Sequence, residues 1–203
     1  MWIGKRAFDL FFSLVGLIIL SPIFLAVALW IKLDSSGPVF FRQKRVGLNE
    51  KPFFIHKFRT MSMDAELRGL KITVGQDPRI TKSGQLLRKY KLDEFPQLID
   101  VLIGKMSIVG PRPEVPQYVE KYPKEKRDKI FQLRPGITDW ASVKFKDENT
   151  ILSHASDPER AYVEEILPIK ISYYENYFHQ ASLLVDLKII FLTFSEIFFK
   201  RTT

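Results

Sequence analysis

The feature that most constrains this chain is a nearly uninterrupted apolar segment close to its first residue. Residues 8–31 read FDLFFSLVGLIILSPIFLAVALWI, and Asp9 carries the only charge among them. A stretch of this length and apolarity is typical of a membrane segment. No small-residue cleavage motif follows it, which argues against a cleaved signal peptide. We therefore expect a membrane-associated protein.

The apolar segment contains Ser21-Pro22 near its middle. Proline lacks a backbone N–H and its ring clashes with the preceding turn, so a helix should kink sharply there. The pieces on either side, of about 13 and about 10 residues, are too short to cross a hydrocarbon core of about 30 Å. Basic residues, which prefer the cytosolic side, flank both ends: Lys5, Arg6, Lys32, Arg42, Lys44 and Arg45. The sequence predicts a re-entrant helix broken at Ser21-Pro22, while a single kinked span remains equally open.

Composition limits the chemistry available to the rest of the chain. The 203 residues suit one domain plus an anchor, and the net charge of +8 suits an anionic partner. That partner is a nucleic acid, an acidic lipid surface or a phosphorylated substrate. The chain has no cysteine and three histidines, which excludes thiolate chemistry and argues against a histidine-rich metal site. We expect a cytosol-facing protein that works with carboxylates, hydroxyls and basic groups.

The remaining residues predict an α+β domain that is mainly helical. VFFRQKRV and KPFFIHKFRTM flank Gly47-Leu48-Asn49, which is the pattern of a small β-hairpin with a basic face. We further predict a loop at residues 77–81 and short helices at residues 85–91 and 121–129. A longer helix is expected at residues 162–178, with an interruption near Pro168.

The end of the chain predicts an amphipathic helix. Its apolar side carries Leu184, Leu187, Phe191, Phe194 and Phe198. Such a helix can lie in the membrane interface, and packing in the protein core is an equally open interpretation. We expect residues 1–33 to form the membrane helix and residues 34–203 to form a domain that ends in this interfacial helix.

Two adjacent carboxylates are the strongest candidates for chemistry. Asp93 and Glu94 lie in KYKLDEFPQL, where Pro96 is acceptable only in the first turn of a helix. The helix start attracts phosphate, and a divalent cation between carboxylate and phosphate would offset their repulsion. Mg²⁺ suits such oxygen ligands best. The pair predicts a Mg²⁺ site at Asp93 and Glu94, although such pairs also begin ordinary helices.

Arg112 is the leading candidate for phosphate binding. Pro111 and Pro113 fix the backbone on both sides, which lowers the entropy lost when its guanidinium is aimed at one target. Pro135-Gly136 in RPGIT predicts a tight turn beside another basic group. Common nucleotide-binding loops and a nucleophilic serine elbow are missing from the sequence. Further phosphate-binding candidates are Lys57, Arg59, Arg88 and Arg134.

The motifs occur in an order that carries more information than any one of them. KR and FD precede the Ser-Pro segment, followed by FRQKRVG, KFRTM, DPRIT, LDEFPQL, GKMSIVGPRPE and RPGIT. Over nearly the whole chain this order resembles the monotopic phosphoglycosyl transferases of the bacterial sugar transferase family, in their minimal catalytic form. The resemblance implies a re-entrant Ser-Pro helix and a catalytic domain on the cytosolic face of the bacterial inner membrane.

The resemblance also implies a reaction. Asp93 would attack the β-phosphate of a UDP-sugar, release UMP and pass the phosphosugar to polyprenyl (undecaprenyl) phosphate, which initiates glycoconjugate or polysaccharide assembly. Glu94 would hold Mg²⁺ or assist the acceptor phosphate. The residues implied to neutralise the phosphate are Arg112, Arg88, Lys57, Arg59 and Arg134. The family commonly continues RPGIT with glycine, whereas Asp139 follows Thr138 here, so the donor sugar stays open, as do the role of Asp186 and a homodimer.

Two other function classes fit the composition. A membrane-anchored nucleic-acid binder would explain the basic balance and the aromatic residues of the hairpin, and a non-catalytic scaffold would explain the membrane segment. The sequence contains no recognised nucleic-acid motif, and its motifs centre on carboxylates, which repel phosphodiesters unless a metal is bound. We therefore expect no nucleic-acid partner.

Overall fold

A mainly helical α+β fold surrounds a small antiparallel hairpin, as expected. The computed structural model describes residues 3–65, 77–145 and 148–198. A long helix, α1 (Ile3–Asp34), precedes strands β1 (Phe40–Val46) and β2 (Pro52–Phe58), and two short strands follow, β3 (Ser107–Val109) and β4 (Gly136–Thr138). The other helices are α2 (Lys82–Lys89), α3 (Gln97–Leu102), α4 (Pro116–Val119), α5 (Lys124–Ile130), α6 (Trp140–Lys144), α7 (Glu148–Ser153), α8 (Pro158–Ala161), α9 (Leu167–Gln180) and α10 (Leu183–Phe198).

Helix α1 contains Pro22 without ending there. Residues on both sides of Ser21-Pro22 belong to one helix of 32 residues, so the helix is not interrupted at the proline. The re-entrant path stays a prediction. A proline removes a single backbone donor, so the turns on each side keep their own hydrogen bonds. Ser21 Oγ donates to the Ile18 carbonyl oxygen at 2.8 Å. By length and composition, this helix is long and apolar enough to cross a membrane.

The first turns of α1 are fastened to the domain by polar contacts. The Arg6 guanidinium donates to the carbonyl oxygens of Val101 at 2.8 Å and Leu102 at 3.1 Å, at the end of α3. Asp9 is fully buried, and its Oδ1 accepts a hydrogen bond from the Ile108 backbone N–H of β3 at 3.0 Å. These contacts explain why a charged residue is tolerated at the start of the apolar segment.

The last turns of α1 contact the same domain. Ile31 packs in a cluster with Phe58 of β2 and Leu87 of α2. Asp34 accepts hydrogen bonds from both the backbone N–H and the hydroxyl of Ser83, each at 2.8 Å. The face between the two ends of α1 leaves large apolar side chains exposed, among them Leu10, Phe11, Leu14, Ile18, Ile19, Leu25 and Leu29.

A buried ion pair joins α1 to the C-terminal helices. Lys5 of α1 pairs with Asp186 of α10, and the Tyr177 hydroxyl of α9 donates to Asp186 Oδ1 at 2.6 Å. Asp186 is fully buried. The role of Asp186 in this structure is therefore to hold three helices together.

Helix α10 has the two-sided character expected of it. Ile189 is fully buried against Val109 and Tyr177, so one side of the helix packs on the domain. The opposite side exposes Leu184, Leu187, Phe191 and Phe194. The side chain of Phe198, which was assigned to the same face, lies outside the described residues. Core packing and an unpartnered apolar face thus occur in the same helix.

A second sheet, which the sequence did not predict, pairs β3 with β4 in parallel. Ser107 lies opposite Gly136 and Val109 opposite Thr138. The predicted tight turn at Pro135-Gly136 is wrong, since Gly136 is the first residue of β4. The backbones approach so closely that a Cβ on Gly136 would lie 2.1 Å from the Gly110 nitrogen. Glycine is therefore required here for a close backbone contact.

The shorter predicted helices form with shifted ends. Helix α2 begins at Lys82, earlier than predicted, because the Thr81 side chain accepts the Gly84 N–H at 3.0 Å and caps it. Helix α5 begins at Lys124, after Pro123, and includes residues 124–129 of the helix predicted at residues 121–129. The predicted interruption near Pro168 is a π-helical turn, Tyr162–Ile166, directly before α9.

We predict that Asp186→Asn lowers the free energy of unfolding by about 3–5 kcal/mol, because it leaves the Lys5 ammonium buried without a counter-charge. Thermal or denaturant unfolding in detergent micelles measures the change. Glu164→Gln is the matched control, since it breaks the exposed Arg160–Glu164 pair and should leave the unfolding midpoint unchanged. Equal effects of the two substitutions would contradict this account of Asp186.

Candidate functional site

The two candidate carboxylates occupy one tight turn between α2 and α3. Leu92–Glu94 forms a 3₁₀ turn, which the chain enters through Lys91 in the left-handed conformation, with φ of 56°. Helix α3 begins at Gln97, so the carboxylates precede its first turn instead of lying in it. Asp93 and Glu94 expose 9% and 8% of their surface. The turn buries two adjacent acids, an arrangement that is costly unless charges compensate it.

Glu94 is compensated by two cations from different parts of the chain. Lys57 Nζ of β2 donates to Glu94 Oε1 at 2.7 Å, and Arg112 Nη2 donates to the same oxygen at 2.5 Å. Burial raises the pKa of Glu94, but Arg112 and Lys57 outweigh it and hold that pKa well below its usual value. Glu94 therefore stays ionised and keeps both cations in place.

Asp93 lacks such a partner. Within the described residues, no donor makes a hydrogen bond to its carboxylate. Burial, and then the neighbouring charge of Glu94, raise the pKa of Asp93, while Lys57, Lys91 and Arg88 act in the opposite direction. An unpaired carboxylate among cations is a suitable nucleophile toward an electrophile that carries negative charge.

Three of the predicted phosphate-binding residues converge on this turn. Besides Lys57 and Arg112, Arg88 of α2 is close enough for Asp93 and Glu94 to influence its pKa, which burial lowers. Arg88 Nε donates to Thr60 Oγ1 at 2.9 Å. The pKa of Arg112 is raised well above its usual value, chiefly by Glu94. The three cations would offset the charge of a transferring phosphate.

The other predicted phosphate-binding residues have different positions. Arg59 is buried, and its guanidinium donates to the carbonyl oxygens of Ser36 and, at 2.8 Å, Ser35, so it caps the end of α1 instead of facing the carboxylates. Arg134 Nε donates to the Gly104 carbonyl oxygen at 2.9 Å, in the loop after α3.

Pro111 contributes through its backbone. Its carbonyl oxygen accepts the Gly136 N–H at 2.9 Å, which fastens the segment that leads into Arg112 to the start of β4. The phosphate-binding roles predicted for Pro111, Arg59 and Arg134 stay predictions.

Supporting residues that the sequence analysis missed hold the turn in place. Asp100 of α3 is fully buried and accepts hydrogen bonds from the His56 backbone N–H at 2.8 Å and its ring at 2.7 Å. Arg45 donates to the Pro113 carbonyl oxygen at 3.0 Å and lies 3.5 Å from Glu114. The sequence offered an indication of both basic residues, since Arg45 belongs to the FRQKRVG motif and His56 immediately precedes Lys57.

The carboxylate oxygens of this turn are suitable ligands for a magnesium ion that is bound together with a substrate. Within the described ranges there is no group of three or more His, Asp or Glu side chains that could hold a metal alone. Mg²⁺ is commonly held by one or two carboxylates plus substrate phosphates and water. Asp93, to which no described residue donates a hydrogen bond, and Glu94 could serve as the carboxylates of such a site.

Comparisons with known proteins found related sequences that cover most of this chain. The family model for bacterial sugar transferases matches residues 1–200. The chain is 36% identical over 195 residues to the UDP-N-acetylgalactosamine-undecaprenyl-phosphate N-acetylgalactosaminephosphotransferase of Aeromonas hydrophila, covering 95% of this chain and 43% of that protein. It is also 36% identical over 192 residues to the UDP-glucose:undecaprenyl-phosphate glucose-1-phosphate transferase of Escherichia coli (strain K12), covering 93% and 39%.

A relative of similar size is the uncharacterized sugar transferase EpsL of Bacillus subtilis (strain 168), 36% identical over 193 residues, with 95% of this chain and 86% of that protein covered. The chain spans less than half the length of the two larger relatives. The family model matches nearly all 203 residues. The match therefore includes α1, the carboxylate turn and the segment that contains Arg112. The chain belongs to the bacterial sugar transferase family.

Proposed function

We propose that this chain transfers a sugar 1-phosphate from a UDP-sugar to polyprenyl (undecaprenyl) phosphate, releases UMP, and thereby initiates polysaccharide or glycoconjugate assembly. The observation that carries the proposal is that two adjacent acids have different contacts. Glu94 binds Lys57 and Arg112, whereas Asp93 keeps a carboxylate without a donor among the described residues. The printed names of the A. hydrophila and E. coli relatives support the substrates.

In the first step, an Asp93 oxygen attacks the β-phosphorus of the UDP-sugar. A phosphorus–oxygen bond forms to Asp93, the bond from that phosphorus to the bridging oxygen breaks, and UMP leaves with the electron pair. The phosphosugar is then an acyl phosphate on Asp93. Lys57, Arg88 and Arg112 neutralise the charge that collects on the phosphoryl and leaving oxygens.

In the second step, an oxygen of polyprenyl phosphate attacks the same phosphorus. The new phosphorus–oxygen bond completes the diphosphate of the lipid-linked sugar, and the bond to Asp93 breaks, which restores the carboxylate. Glu94 positions Lys57 and Arg112 in both steps. Mg²⁺ held by Asp93 or Glu94 together with the diphosphate would supply additional charge neutralisation.

We further propose that α1 enters and leaves the inner membrane on the cytosolic face. A straight helix of this length would extend about 48 Å at 1.5 Å per residue, and its ends would face opposite sides of a bilayer. Arg6 and Asp9 at one end and Ile31 and Asp34 at the other instead contact the same domain, through α3, β3, β2 and α2. A domain that binds both ends of the helix supports a re-entrant path over a span.

We expect Asp93→Asn to reduce UMP release from the UDP-sugar that the protein uses by roughly 1,000-fold or more, since it removes the nucleophile. A panel of UDP-sugars with polyprenyl phosphate and Mg²⁺ identifies that donor, and a chelator should abolish turnover reversibly. Asp128→Asn, at an exposed position outside the site, is the matched control and should retain activity.

Without acceptor, mass spectrometry of the wild-type protein should locate a phosphosugar adduct on Asp93. An adduct on another residue would overturn the assignment of the nucleophile. Full function with asparagine at residue 93 would instead favour a scaffold.

The pKa shifts predict opposite stability effects for the two acids in metal-free buffer. The raised pKa of Asp93 means that its stabilising contribution exists below its unfolded-state pKa and is lost as pH rises through the folded-state pKa. Asp93→Asn should therefore raise the unfolding midpoint at neutral pH, and this gain should shrink in mild acid.

The lowered pKa of Glu94 has the reverse sign, because its contribution is present above the unfolded-state pKa and is lost as pH falls through the folded-state pKa. Glu94→Gln should destabilise the protein by about 2 kcal/mol at neutral pH. Thermal melts across pH compare the two variants, and a shift of the same sign for both would contradict the assignment.

The re-entrant path is tested by cysteine labelling, for which the cysteine-free sequence is a ready background. Ala7→Cys and Lys32→Cys introduce exposed thiols at the two ends of α1. Both should react with an impermeant maleimide in inverted inner-membrane vesicles and not in spheroplasts. Ile23→Cys, in the middle of α1, should react only after detergent is added. Labelling of one end in spheroplasts would show that the helix spans the membrane.

A further inference from the structure

A small notch lies beside the Glu94 clamp, by which we mean Glu94 with its partners Lys57 and Arg112. The notch is lined mainly by hydrogen-bond donors. Its lining consists of Arg45, Ile55, Lys57, Gln97, Arg112 and Pro113. Three of these described residues are cations and none is an acid. The notch opens to the surface and has room for little more than one water-sized atom group.

Two donors at this notch have no acceptor. Gln97 exposes 2% of its surface, and its Nε2 is buried without a hydrogen-bond partner. Arg45 Nε is also buried without a partner, although the other nitrogens of that guanidinium donate to the Pro113 carbonyl oxygen at 3.0 Å and to Gln43 Oε1 at 2.6 Å. Unpaired buried donors are rare because each one loses its hydration without replacement. Two of them beside one notch indicate a missing acceptor.

The size of the notch calls for a small acceptor, and its cationic lining favours a negatively charged one. The cations Lys57 and Arg112 border the notch, and Glu94 contacts both. An oxygen that accepts from Gln97 and Arg45 would therefore be close to the charges that serve the carboxylate turn. A phosphate oxygen fits these conditions, because it accepts several charge-assisted hydrogen bonds while the rest of the group stays at the open mouth.

We propose that Gln97 and Arg45 form a binding site for one oxygen of a substrate phosphate, in a notch that adjoins the Glu94 clamp. The identity of the substrate rests on the proposed function, since the phosphate belongs either to the nucleotide or to the lipid acceptor. Gln97 supplies a neutral donor at a set distance, and Arg45 supplies a charged one held by the segment after Arg112. The two residues thus add a fixed point of attachment for the phosphate beside the charges of Lys57 and Arg112.

The test measures binding, which does not require turnover. Inorganic phosphate is titrated calorimetrically into the full chain in detergent micelles. Gln97→Met keeps the length of the side chain and removes its donors, and we expect about tenfold weaker binding. Gln97→Glu should bind phosphate more weakly still, because it places an acid in the notch. Gln132→Met, at an exposed glutamine, is the matched control and should bind as the wild type does.

Stability separates a ligand site from a structural role. Because Gln97 Nε2 has no partner in the protein, Gln97→Met should leave the unfolding midpoint unchanged or raise it. A clear fall in the midpoint, or unchanged phosphate affinity in Gln97→Met, overturns the proposal.

Titrations with UMP and with a soluble short-chain prenyl phosphate identify the source of the phosphate, since Gln97→Met should weaken one of them selectively, or both if the site serves both steps. If neither is weakened, the proposal fails. A chain that binds phosphate through Gln97 and yet releases UMP from no UDP-sugar would contradict the transferase proposal alone.

Discussion

The interaction on which the site depends is the clamp of Glu94 on Lys57 and Arg112. It joins β2, the carboxylate turn and the segment after β3. Lys57 and Arg112 would repel each other without the acid between them. Hydrogen bonds to charged groups contribute about 1.5–3 kcal/mol each, so the clamp offsets a large part of the cost of burying these charges. Among the described residues, none makes such a contact with Asp93, which suits the nucleophilic role proposed for it.

Two contacts near the clamp hold its cations in position. Asp100 fixes α3 to β2 through His56, one residue before Lys57. Gly110 and Gly136 let β3 and β4 approach closely, which fixes the backbone that leads to Arg112. The Asp100 contact holds the strand that carries Lys57, and the close approach of the two glycines holds the segment that carries Arg112. A substitution at either place should therefore alter the site without touching a substrate.

Much of the fold followed from local patterns, and the errors have physical reasons. The hairpin and the long apolar helix have strong local signals, and Asp93, Glu94 and Arg112 stand out as candidates because each lies in a distinctive motif. Strands β3 and β4 contain three residues each and pair across a long stretch of chain. Three residues are too few to show a periodic pattern, so the sequence does not predict these strands. Arg59 donates to a carbonyl oxygen at the end of α1, a contact that no local pattern predicts, because β2 ends at Phe58 and the chain then turns toward α1. Pro22 lies inside α1 without ending it, because a proline removes only one backbone donor.

The attachment of both ends of α1 to one domain has a consequence for the surrounding lipid. A spanning helix must match its apolar length to the thickness of the hydrocarbon layer, and a mismatch is relieved by tilting or by deforming the bilayer. Under the proposed re-entrant path, only one leaflet is displaced, and the depth of insertion follows from the contacts of Arg6 and Asp34 with the domain. The protein would then tolerate membranes of different acyl-chain length, because no second interface has to be reached.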